Sequence, residues 1–360
     1  MPALHDLWGH LQRQLFPVLT EEIGPLGIKD QQLVQVVALL PMSQFLSRYE
    51  WCGNGRPPHE RGWLLHAFIA KSIYQLPTTE ALIDALKARP TLRRLCGWES
   101  SSELPDRSTF SRAFEQFAAD QLPQKLHATL IQIHCASKLA GHISRDATAI
   151  EAPERMVPKA IAKPRTARRI GRPRKGTVCP PRTQIELQAT RSLADNLADL
   201  PQGCDPGCKT DSRGYKRWWR GYKLHLDVID GDIPVSGLLT SASLHDSQVA
   251  IPLAQLTATR VTSLYDLMDS AYDAEAIRKF SYGVGHVPII EPRKWKGFVP
   301  LDAAQRQRYA ERTASERVNS RLKEGFGGRT VRVRGAPKVM AHLMFGVLVI
   351  AALGIWQRLG

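Results

Sequence analysis

Apolar residues in the first 136 positions recur at helical spacing. "QQLVQVVALL" (31–40) and "RGWLLHAFIAKSIYQL" (61–76) are apolar-rich runs long enough for helices. "TTEALIDALKARP" opens on threonine and glutamate start signals and stops at Pro90. "LPDRSTFSRAFEQFAADQL" starts at Pro105 and Asp106 and then sets Phe110, Phe114 and Phe117 at helical spacing. Residues 1–136 therefore read as an all-helical region. Successive short helices joined by a turn fit a helix-turn-helix, in which Arg107, Ser108, Thr109, Ser111 and Arg112 would face DNA. A plain helical bundle with a solvated polar face fits the same pattern equally well.

From Gly141 the period changes. "HISRDATAIEA" is short and places β-branched residues around one acid, Asp146. "GYKLHLDVIDGDIPVSGLLTSAS" alternates Tyr222, Leu224, Leu226 and Val228 with Lys223, His225 and Asp227, then turns at Asp230-Gly231 into a second strand. "VTSLYDLMDS" is an apolar strand ending in Asp269, "DAEAIRKFSYG" a helix stopped by Gly283, and "HVPIIEP" a further strand. The order is strand, hairpin, strand, helix, strand, helix. That predicts an α/β domain over 137–360 with five strands of mixed direction.

The last of these helices holds the least ordinary pattern. "YAERTASERVNSRLK" (309–323) has no glycine or proline and should be helical throughout. Tyr309, Arg312, Glu316 and Lys323 fall within about a 60° arc. A phenol, a carboxylate and two cations on one stripe also suit a solvated face with spaced ion pairs.

Charge changes the picture. The 360 residues hold 49 Lys and Arg against 34 Asp and Glu, a formal net charge of +15. Polyanions are the partners this favours, nucleic acid first and anionic membrane second. More than half of the excess lies in 151–182, where ten basic residues face two acids, a balance of +8. Prolines interrupt that stretch, so 152–210 reads as a basic, Pro-rich linker or insertion. "RRIGRPRKG" within it resembles an AT-hook core, whose Arg172, Arg174 and Lys175 would enter a narrow minor groove.

Other features carry two readings. Trp218 and Trp219, between Arg217 and Arg220, suit either stacking on an exposed base or packing at a sheet edge. The six cysteines are scattered; Cys204, Cys208 and Cys179 have too loose a spacing for a zinc site, so free thiols are expected. The N-terminal residues lack the basic-then-apolar run of a signal peptide. Val339–Trp356 approaches the length of a membrane span, but a buried core helix is the expected reading.

Three blocks of the chain resemble the bacterial insertion-sequence DDE transposases: "SRDATAI", "LYDLMDSAYDA" and "YAERTASERVNSRLK". The last matches that family's pattern of Tyr, two residues, Arg, three residues, Glu, six residues, Lys at all four positions. "GYKLHLDV", "SASLHDSQVA", "VPIIEPRK" and "LPDRSTFSRAF" are similar to other segments of the family. The resemblance implies an RNase H-like core, with Asp146, Asp269 and Glu316 as catalytic residues and ligands of two Mg²⁺ ions, for which Mn²⁺ may substitute. It implies that Tyr309, Arg312 and Lys323 hold the DNA end by its phosphates. Asp273, Asp266 and Asp246 stay outside the implied metal set. The implied activity is cleavage at the element's terminal inverted repeats and transfer of the freed ends to target DNA, by a homodimer on double-stranded DNA. The setting implied is the bacterial cytoplasm, near the nucleoid, with no membrane. A nuclease that cuts without joining and a DNA-binding regulator derived from a transposase are the alternatives.

Overall fold

The computed structural model describes residues 26–53, 57–156, 183–210, 213–293 and 299–359. Arg172, Arg174 and Lys175 and the AT-hook-like segment lie outside them.

The N-terminal part is helical: α1 Ile28–Leu39, a one-turn helix Ser43–Leu46, α2 Arg61–Ile73, α3 Thr79–Ala88, α4 Pro90–Cys96, α5 Arg107–Ala119 and α6 Leu122–Cys135. The start signals act as sequence implies. The Thr78 side chain accepts from Ala81 N at 3.1 Å, and Asp106 accepts from Thr109 N at 3.0 Å. Pro90 opens α4 at the position where its missing N–H costs nothing. Phe110, Phe114 and Phe117 turn inward onto Phe68 of α2.

A six-stranded sheet follows, formed by β1 Leu139–Glu151, β2 Asp205–Thr210, β3 Lys216–Ile229, β4 Ile233–Ser241, β5 Thr262–Met268 and β6 Val287–Ile290. Its order is β2-β3-β1-β5-β6, with β4 also paired to β3. The β3–β1 and β3–β4 pairs are antiparallel, while β1–β5 and β5–β6 are parallel. Five strands were expected and a sixth, β2, is present. Gly221 pairs with Glu151 of β1 on one side and Asp205 of β2 on the other, so β2 continues the line of β4 along β3. The sheet is thus five strands wide, consistent with an RNase H-like fold, with a two-stranded arm of β2 and the first turns of β3 prolonging it. The turn between β3 and β4 needs left-handed backbone at Gly231 (φ 75°) and Asp232 (φ 59°), as the Asp-Gly pair suggests.

Residues 183–210, read as part of the linker, contain two short helices, α7 Gln184–Gln188 and α8 Leu193–Ala198, before β2. The remaining helices are α9 Ser247–Ala258, α10 Glu275–Gly283, α11 Ala303–Tyr309, α12 Thr313–Gly325 and α13 Ala336–Leu359. The run 309–323 is not one helix as expected. A 3-10 turn, Ala310–Arg312, separates α11 from α12. The Arg312 carbonyl accepts from Ser144 Oγ of β1 at 2.5 Å and from Ser315 Oγ at 3.0 Å. Tertiary grip by the sheet, rather than a breaker residue, sets this bend.

Helix α13 is the apolar C-terminal run. It packs between the helical region and the sheet: Phe345 meets Phe68 and Phe114, while Val339, Leu343 and Val347 join Leu224, Leu226 and Val318 in a second cluster. Of its most apolar window 89% is buried inside the protein, as a core helix requires. Gly346 lets α12 approach closely; a Cβ there would meet Leu322 Cδ1 at 2.6 Å and the Phe326 carbonyl at 2.7 Å.

Candidate active site

Strands β1 and β5 run parallel and adjacent, with Arg145 opposite Met268. Asp146 follows the first and Asp269 the second, so the register sets the two acids at the same level of the sheet. Helix α12 lies over them. Ser315 N donates to Ser144 Oγ at 3.3 Å, and Asn319 Nδ2 donates to Asp146 Oδ2 at 3.0 Å. Val318 and Leu322 anchor the helix in the core beneath. At the hairpin turn, Arg317 clasps Asp232 at 2.7 and 2.9 Å.

Burial pushes Asp146 up to about 6, with the negative charge of Asp269 adding to the effect; Lys209 and Arg312 pull the other way. Burial likewise raises Asp269, and Asp246 adds to it, while its backbone bond from Ala271 N at 2.9 Å, Arg312 and Lys209 oppose. Burial outweighs these opposing cations and bonds at both acids, an arrangement that a further cation would relieve.

The stripe on α11 and α12 divides in its roles. Glu316 is exposed and paired with Arg312 rather than turned to the two aspartates. Burial works against the Arg312 charge, but Tyr309, Glu316 and Asp146 outweigh it and raise its value. The guanidinium also lies 5.7 Å from the Tyr309 ring centre. Tyr309 donates from its hydroxyl to Glu291 Oε2 at 3.2 Å, and burial raises its phenol. Lys323 is lowered by burial, then by Lys209 and Arg329; Asp146 and Glu151 counter.

The structure therefore brings Asp146, Asp269, Arg312 and Lys323 into one electrostatic neighbourhood, with Glu316 tied to its edge through Arg312. Among the described residues no group of three His, Cys, Asp or Glu side chains is arranged to hold a metal ion. The donor chemistry nonetheless suits a hard divalent ion. The acids are oxygen donors, and two buried oxygens beside them lack partners: Asn319 Oδ1 and the Tyr272 hydroxyl, the latter within charge range of Asp146, Asp269 and Asp246.

The acids left outside the metal set have other partners. Asp266 is buried against Ser281 at 2.7 Å and His286 at 3.2 Å. Asp273 pairs with Arg278 at 2.8 Å. Asp246 pairs with Lys223 at 2.8 Å, yet its charge reaches Asp269, so it lies close to the acid face. Lys209 and Asn319 are contributors that sequence reasoning missed. Asn319 stands three residues after Glu316, and that spacing was the available signal. Lys209 had none, because only the fold of the β2–β3 arm carries it to the acids.

Outside this face, Arg107 and Arg112 are exposed on α5. Arg107 pairs with Glu80 at 2.5 Å, and Arg112 donates to Ser108 Oγ at 2.8 Å. Cys204 is buried and Cys208 exposed, and both are free.

Two family models match the chain: a transposase domain (DUF772) over residues 22–116 and the transposase DDE domain over residues 198–352. No curated protein and no solved structure matches it.

Proposed function

For a chain that belongs to the insertion-sequence DDE transposases, we propose cleavage of DNA at the ends of its own element, followed by transfer of the freed 3′ ends to a target phosphate. That it is a transposase acting on DNA follows from the family; the chemistry at the ends is the proposal. The observation that supports it most is the placement of Asp146, where β1 stops pairing with the parallel β5, level with Asp269 just past the end of β5, beneath the turn that carries Arg312 and the helix that carries Glu316 and Lys323.

Asp146, Asp269 and Glu316 would hold divalent metal. Mg²⁺ bound there supplies activation of the attacking oxygen and charge stabilisation of the leaving one. The chain's own residues do the positioning. Arg312 offers a fork to a phosphate and Lys323 a point charge, one on each side of Asn319 and Asp146. Tyr309 stacks on Arg312 and limits its freedom. Entry of a DNA phosphate beside Arg312 gives the guanidinium a second anion, which frees Glu316 to turn toward the aspartates. Arg107 and Arg112 of the helical region, with Arg172, Arg174 and Lys175, would grip the terminal repeats, and two copies would hold both ends together.

The test uses labelled DNA carrying the element's ends, incubated with the protein in Mg²⁺, Mn²⁺ or EDTA, beside Glu316→Gln. Metal-dependent cleavage at the 3′ ends, lost in the variant, is expected. The Arg312–Glu316 pair is the one feature that favours a second reading, a DNA-binding regulator. Tight binding of the ends without cleavage in either metal would support it.

A further inference from the structure

The end of β1, the β2–β3 arm and the segment after α12 border an open polar cleft of about 430 Å³. Its walls include Trp218, Arg220, Arg329, Arg332 and Glu151. The volume lies within the range of small-molecule pockets, about 300–1,000 Å³. The two tryptophans of the arm have different fates. Trp219 is structural: its Nε1 donates to the Tyr222 carbonyl at 3.1 Å, and its ring lies over Gly207, where a Cβ would meet it at 2.3 Å. Trp218, its neighbour on the opposite face of the strand, is 68% exposed and flanked on that face by Lys216 and Arg220. An indole left in water between two cations contributes little to folding.

Strand β1 joins the cleft to the acid face, carrying Glu151 in the cleft wall and Asp146 in the acid face. Lys323 lies in charge range of Asp146 on one side and of Arg329 and Glu151, from the cleft wall, on the other. Lys209, on the same arm, acts on Asp146, Asp269 and Lys323. Cations thus line the way from the scissile position to an aromatic platform. A base inside a duplex keeps both faces stacked on its neighbours, so only an unpaired base can lie on the indole.

We propose that this cleft seats an unpaired nucleotide of the DNA strand that runs to Asp146, with its base on Trp218 and its phosphates on Arg220 and Arg332. The inference rests on the DNA-cleavage reading for its direction, but its test does not. Binding of the full chain to a labelled oligothymidylate, in EDTA and without element ends, is followed by fluorescence anisotropy beside a blunt duplex of random sequence. Loss of one stacked base weakens binding about 10-fold or more. Trp218→Ala should show that loss for the oligothymidylate and leave duplex affinity within about twofold, while Trp218→Phe, which keeps a stacking ring, should stay within about threefold for both. Wild-type affinity of Trp218→Ala for the single strand would overturn the proposal. So would an equal loss on the duplex, which would make Trp218 part of a general DNA face. Cleavage of end DNA together with either result would remove the nucleotide site and leave the transposase chemistry standing.

Discussion

Asn319 Nδ2 donates to Asp146 Oδ2 across 3.0 Å, tying α12 to β1 at the centre of the acid face. Asn319 is 6% exposed, so no water readily replaces it. A hydrogen bond to a charged group contributes about 1.5–3 kcal/mol. Asn319→Ala should therefore slow cleavage of end DNA about 10- to 100-fold while the protein keeps its fold. Asn319→Asp should slow it further, because two carboxylates would then face each other. Single-turnover cleavage and far-ultraviolet dichroism decide the matter; an alanine variant cutting at the wild-type rate would leave the amide without a role.

Asp146 bears a cost in the metal-free fold. Its value stands above the ordinary carboxylate value, so the fold favours the protonated form. The stability linked to it is full below about 4 and is lost as pH rises through about 6. At neutral pH the ionised side chain costs at most about 3 kcal/mol, part of it screened by solvent. Asp146→Asn should raise the urea midpoint at pH 7.5 in EDTA. Mg²⁺ should raise the wild-type midpoint and leave the variant where it is. A variant less stable than wild type without metal would contradict this account.

Three buried histidines act in the opposite direction. Burial holds His127 down at about 3 and His225 and His342 at about 4. A lowered value means that stability is present above the ordinary histidine value and lost as pH falls below it. Between pH 7 and 5 the protons refused by these groups, and by His66 and His134, which burial also lowers, outweigh those gained by Asp146 and Asp269. The urea midpoint should therefore fall across that interval. His127→Gln keeps a donor to the Pro234 carbonyl, which Nε2 reaches at 2.8 Å, and removes one titration. Its midpoint should fall less steeply over the same range; an equal slope would remove His127 from the explanation.

Gly346 transmits core packing to the site. With 2.6 Å to Leu322 Cδ1 and 2.7 Å to the Phe326 carbonyl, the methyl of Gly346→Ala must push α12 away from α13. Overpacking of this kind costs about 1–3 kcal/mol. The same displacement moves Asn319 and Glu316, so cleavage should fall by more than the lost stability explains, with metal dependence shifted to higher Mg²⁺. Thermal melting and Mg²⁺ titration of the cleavage rate measure the two effects separately.

The strands that carry the aspartates were legible from β-branched residues around Asp146 and an apolar run before Asp269, with the alternation of β3 marking the half-buried sheet between the hairpin and β1. What escaped reading had physical causes. "GCDPGCKT" looks like a turn, and becomes β2 only by pairing with Trp218 and Trp219 of β3. Helix α9 contains Pro252, which breaks the pattern a reader follows. The bend at 310–312 has no local signal at all, since Ser144, far away in sequence, imposes it. At the site, the resemblance implied Asp146 and Asp269 as partners, and the register of β1 and β5 sets them at one level. The pairing of Glu316 with Arg312 depends on which neighbour each side chain meets first, a matter of rotamers.

Helix α13 sits inside both halves of the molecule, yet it comes after every other described element in the chain. During synthesis the helical region and the sheet are therefore made with their shared apolar surface uncovered. Neither half can close until this final helix has been made and inserted between them. A message cut short or shifted in frame before codon 336 yields a chain with all the acids of the site but without the helix that fills the core beneath them. On the proposed function, competence to break DNA would be withheld until translation has passed α13.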